Sequence, residues 1–124
     1  MPLDREKAKA RRTEVVDLSD LLGPGQSVTV RSLTVIELAL FELSLTDEEG
    51  NTIPSQIMRI RELMVIASAC EDDGRKPLFT EKDLPELSNW NAAVLDRIYQ
   101  AANRLSGRKG SKQKKAEIEQ KKGN

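Results

Sequence analysis

Few residues in this 124-residue chain are able to do chemistry, and their spacing builds no reaction centre. Histidine is absent, which removes the usual general base, the usual proton shuttle and the commonest metal ligand. Serine–histidine and cysteine–histidine nucleophile pairs are therefore impossible. Cys70 is the single cysteine, so no intrachain disulfide and no cysteine-rich zinc site can form. Its apolar setting, Val65-Ile66-Ala67-Ser68-Ala69, marks it as a small buried hydrophobe. Asp47-Glu48-Glu49-Gly50-Asn51 and Glu71-Asp72-Asp73-Gly74 hold enough carboxylates to suggest a cation. Neither alternates its oxygen ligands toward a distant bidentate Glu, as a calcium loop requires, and both suit solvated turns better. Gly23-Pro24-Gly25 is the only glycine-dense element and lacks the Lys-Ser/Thr that completes a phosphate loop. Phe41, Phe79, Trp90 and Tyr99 are the whole aromatic set, too few to line a saccharide cleft between paired carboxylates. The expectation is a non-enzymatic chain with no cofactor and no metal.

Charge points the same way. The formal net charge is zero, but residues 1–15 carry +2, residues 106–124 carry +5, and residues 16–105 carry −7. An acidic body does not grip phosphate. The basic tail admits two readings, a solvated segment or a nucleic-acid contact made by a small regulatory protein. The second lacks interleaved aromatics, and no helix of the body shows a basic recognition face. No apolar run reaches the length of a membrane span, and the charged amino end has no apolar stretch behind it, so the expected setting is a reducing cytoplasm.

The elements follow from pattern. Residues 1–12 (MPLDREKAKARR) read as a charged arm without an apolar stripe. Residues 13–18 (TEVVDL) and 26–32 (QSVTVRS) read as strands on either side of the Gly-Pro-Gly turn, forming a short N-terminal β-hairpin. Thr34 and Glu37 have capping-box spacing and open a helix over residues 35–45, VIELALFELSL, although the same residues could alternate as a strand. As a helix this segment is apolar nearly all round, and so needs cover on more than one side. A partner-facing role through Leu38, Phe41 and Leu45 and a purely internal role both stay open. A second helix is expected from Thr52 or Ser55 to about Cys70, with Ile57, Ile60, Leu63, Met64, Ala67 and Cys70 on one stripe. Residues 78–84 (LFTEKDL) read as the apolar anchor, N-cap and acidic first turn of a short helix. The last, capped by Ser88 or Asn89, carries Val94, Leu95, Ile98, Ala101, Ala102 and Leu105 on one face and stops at Gly107. Trp90 at its start suits the core or a staple. Residues 108–124 are too poor in apolar groups to fold alone and read as a disordered basic tail. The expected fold is a mainly α, small helical domain of three to four helices with one β-hairpin, spanning residues 13–107.

That order of elements resembles the tail assembly chaperones of siphophages, including prophage versions. The stretches that carry the resemblance are Val30-Arg31-Ser32-Leu33-Thr34, Arg59-Ile60-Arg61, Leu78-Phe79-Thr80-Glu81-Lys82-Asp83-Leu84 and Ala101-Ala102-Asn103-Arg104-Leu105-Ser106-Gly107. The resemblance implies a protein of the bacterial host's cytoplasm that binds the long tape measure protein before the tail tube forms. It implies protection of that partner's apolar helical segments and recruitment of the major tail tube protein, in many phages through a longer, frameshifted form. It further implies self-association and absence from the finished virion. None of the matching motifs is catalytic.

Overall fold

The computed structural model describes residues 2–72 and 74–108; the tail expected over residues 108–124 lies, past Arg108, outside the described residues. A short exposed helix, α1 (Arg5–Lys9), is capped by Asp4, whose carboxylate accepts the amides of Glu6 and Lys7. Strands β1 (Thr13–Asp17) and β2 (Ser27–Arg31) pair antiparallel, with Val15 opposite Thr29. The link between them holds one helical turn, α2 (Ser19–Leu22), and two glycines with left-handed backbone, Gly23 at φ 105° and Gly25 at φ 81°.

Helix α3 (Val35–Leu43) starts at the capping box expected of Thr34 and Glu37: the Glu37 amide donates to Thr34 Oγ1 at 3.2 Å, and Thr34 N–H donates to Glu37 Oε1 at 2.9 Å. Helices α4 (Pro54–Ile57) and α5 (Ile60–Ser68) follow, and then the two-residue strand β3 (Ala69–Cys70). After a loop, a 3-10 turn (Glu81–Asp83), α6 (Leu84–Leu87) and α7 (Ala92–Leu105) complete the chain. α7 is capped by Asn91, whose side chain accepts the Ala93 amide at 2.9 Å. It ends in a Schellman motif: Gly107, at φ 75°, donates to the Arg104 carbonyl, and Arg108 N–H donates to the Asn103 carbonyl at 2.8 Å.

The expectation of a mainly α domain with one hairpin is corrected by these elements. The described residues form an α+β fold that comprises a three-stranded antiparallel sheet, ordered β1-β2-β3, and seven α-helices. The missed strand is β3, which pairs with β2 by setting Thr29 against Cys70 and Val30 against Ala69. Ala69 and Cys70 continue the apolar period of α5, so local pattern reads them as helix. Their pairing partner lies about forty residues earlier, and only the assembled sheet decides their state. The single helix expected over residues 52–70 is likewise two, interrupted at Met58 and Arg59.

Two apolar clusters hold the layers together. One joins Val16, Leu18 and Val30 of the sheet region to Val65, Leu87, Val94 and Ile98. Phe79 and Trp90 meet edge-to-face beside it, with ring centres 5.5 Å apart. The other joins Phe41 and Leu45 to Met64, Tyr99 and Ala102. α7 contributes to both, so one helix fixes the sheet and α3 alike. Ile98 is 1% exposed at the centre of the first cluster. Ile98→Ala is expected to cost about 2–5 kcal/mol of unfolding free energy in urea titration, without a change of folded secondary structure.

Candidate functional site

Among the described residues, a broad exposed apolar surface lies on α3. Val35 is 90% exposed, and Ile36, Leu40 and Leu43 are each more than 60% exposed. Ile36, Ala39, Leu40 and Leu43 fall at i, i+3, i+4 and i+7, one stripe along the outer side of the helix. The opposite side faces inward. Phe41 and Leu45 are buried at 7% and 5% exposure, and Leu38 is half-buried, all three within the cluster around Met64 and Tyr99. The three residues expected to meet a partner are thus brought together, but they seat the helix. The side left open is formed by residues that the sequence reading did not single out.

A signal for that division was present. On a helical wheel, Glu37 and Ser44 separate Leu38, Phe41 and Leu45 from the Ile36–Leu43 stripe on one side, and Glu42 separates them on the other. The segment therefore has two apolar faces with polar seams between them. Nothing local says which face is the inner one.

Both seams are braced by arginines from near the two ends of the described chain. Arg11 grips Glu37 with two nitrogens, each 2.9 Å from a carboxylate oxygen. Arg108 lies 3.6 Å from Glu42 and stacks over the Phe41 ring, 5.2 Å from its centre; it also donates to Tyr99 Oη and Asn103 Oδ1. Burial pushes the Glu37 carboxyl up. The Arg11 guanidinium and the Thr34 cap together outweigh that, so its pKa sits below the ordinary 4.5. Beside α3 runs an open groove of about 400 Å³, lined by Leu40, Phe41, Leu63 and Ile66 with Arg31 and Glu37 at its margin.

Other candidates resolve into structure. The Asp47 carboxylate accepts the amides of Glu49 and Asn51, each at 2.9 Å, in a turn whose Gly50 has φ 87°. Among the described residues no group of three or more Cys, Asp or Glu is placed to hold a metal ion. Cys70 is buried, with Sγ 3.6 Å from the Thr29 carbonyl oxygen. Arg61, Arg97 and Arg104 are paired with Asp96, Asp20 and Glu14. No helix of the described chain is long and apolar enough to cross a membrane.

No protein-family model matches the chain, and no curated protein matches it. Among solved structures, the fold is similar to that of the bacteriophage HK97 tail assembly chaperone. The TM-score is 0.56 at 14% identity, over 86% of this chain and 95% of that one. The likeness expected from the sequence is therefore met at the level of the fold.

The Arg11–Glu37 pair yields a pH expectation. Because the folded pKa of Glu37 is depressed, its contribution to stability is complete above the ordinary value of 4.5 and is lost as pH falls through the lower folded value. Melting followed by circular dichroism should show Glu37→Gln losing less stability than the wild type between about pH 5.5 and about pH 3. Equal losses in the two proteins would remove Glu37 from the account.

Proposed function

We propose that this chain is a non-enzymatic tail assembly chaperone of a long-tailed phage, which shields an apolar helical segment of the tape measure protein on the outer face of α3. The observation that carries this reading is the stripe of Val35, Ile36, Leu40 and Leu43, left open on a helix whose other side is already buried. The likeness in fold to a phage tail assembly chaperone supports the class of function.

The physical logic is groove-and-helix recognition. An amphipathic partner helix would lay its apolar face along the stripe and beside the Leu40–Leu63 groove. Each large aliphatic side chain transferred from water into that contact contributes roughly 1.5–3 kcal/mol before ordering costs. Glu37 and Glu42 at the seams are paired with Arg11 and Arg108, so the outer face is bordered by neutralised charge and recognition along it rests on apolar contact. Leu38, Phe41 and Leu45 act in this reading by holding α3 so that its outer face is presented.

Recruitment of the major tail tube protein by a longer form of the chain, self-association and action in the cytoplasm of the bacterial host complete the proposal. The nucleic-acid alternative rests on the basic tail, which past Arg108 lies outside the described residues.

Co-expression with the tape measure protein tests the assignment. Leu40→Glu combined with Leu43→Glu should lower the soluble yield of that partner at least tenfold, while the variant itself keeps its circular dichroism and melting midpoint. Unchanged partner solubility with a folded variant would refute α3 as the contact surface.

A further inference from the structure

The sheet ends on β1, because its strand order is β1-β2-β3. Even-numbered backbone positions along β1 bond to β2 and its flanks: Ser32 N–H donates to the Arg12 carbonyl at 2.8 Å, and Leu18 N–H donates to the Gln26 carbonyl at 2.9 Å. The register therefore turns the backbone N–H and C=O of Thr13 and Val15 outward, where no strand of the described chain meets them. The Val15 side chain beside them is 66% exposed.

α7 runs antiparallel to β1. Arg104 pairs with Glu14 near the start of the strand, and Arg97 donates to the Asp17 carbonyl at its end, at 3.3 Å. An open groove of about 580 Å³ follows this edge, and its α7 lining is mostly polar: Asp96, Arg97, Gln100 and Arg104. Their order is self-complementary. Asp96 stands four residues before Gln100 and Arg104 four residues after it, on one side of the helix. Both charged side chains keep much of their surface open, at 46% and 64%, despite their pairing with Arg61 and Glu14.

We propose that this face joins two copies of the chain about a two-fold axis, β1 against β1 and α7 against α7, to make one six-stranded sheet. Charge chooses the occupant. An axis near Gln100 sets Asp96 of each copy against Arg104 of the other, which a face of one sign or a purely apolar segment would not answer. Hydrogen bonding agrees. With Val15 opposite Val15, each outward amide meets the other copy's Val15 carbonyl, whereas an axis at Glu14 would oppose two carboxylates. The Glu14–Arg104 and Asp17–Arg97 contacts bracket both Val15 and Gln100, so one axis serves strand and helix. Spacing agrees as well. α7 packs on β1 and β2 alike, so its axis lies near the line between them. Strands about 4.8 Å apart then place the two α7 axes about 9.6 Å from each other, an ordinary distance for packed helices. The inference gives a surface to the self-association proposed above and rests on that part of the reading, not on what α3 binds.

Sedimentation of the full chain over a concentration series tests it. The wild type should form a concentration-dependent dimer or a multiple of one. Asp96→Arg and Arg104→Glu, each alone, set like charges across the axis and should weaken association about tenfold or more. Mixed one to one, the two variants should associate again, because each then supplies the charge that the other lacks. Val15→Cys should oxidise to a covalent dimer, since the paired Cα atoms would lie about 5.5 Å apart, and the native Cys70 is buried. Single variants that associate like the wild type, a mixture no stronger than its components, or a Val15→Cys chain that does not cross-link would each overturn this interface and leave the α3 assignment standing. A chain that stays monomeric throughout would overturn it together with self-association.

Discussion

The structure depends on one shared helix. α7 is the element whose two adjoining apolar faces serve both clusters: Val94, Leu95, Ile98 and Ala101 toward the sheet and α6, and Tyr99 and Ala102 toward α3. A small chain with four aromatic residues has little surplus apolar volume, so a single helix carrying two faces does what separate elements do in larger domains. Ala101 and Ala102 are both nearly fully buried, and their small size lets neighbouring elements approach the helix closely. The Schellman end at Gly107 completes the arrangement by turning Arg108 back onto Phe41.

Where the fold was legible in the sequence, the determinants were local. The hairpin strands lie within a residue of the alternating segments, and the Thr34–Glu37 box and Gly107 sit where capping chemistry puts them. Where it was not legible, they were distant. Ala69 and Cys70 become a strand only because β2 offers Thr29 and Val30 to pair with. The split between α4 and α5 has no glycine at it, and the only proline of residues 52–70, Pro54, opens α4 where a helix tolerates it.

The same distinction explains the candidate site. The sequence showed that the helix over residues 35–45 has more apolar surface than a small domain needs, and the exposed stripe is that surplus. It could not show which side is surplus, because both arcs are aliphatic and the choice rests on Met64 and Tyr99 in other elements. Phe41, the largest side chain of the segment, goes inward, where it has the most area to bury. A helix that is apolar all round violates the usual agreement between local pattern and global fold, and such conflicts concentrate where function is carried.

The position of Arg108 has a geometric corollary. Arg108 sits at the carboxyl end of α3 against Phe41 and Glu42, while Arg11 holds Glu37 on the other seam, so residues far apart in the chain clasp the same helix and hold the angle at which its outer stripe is offered.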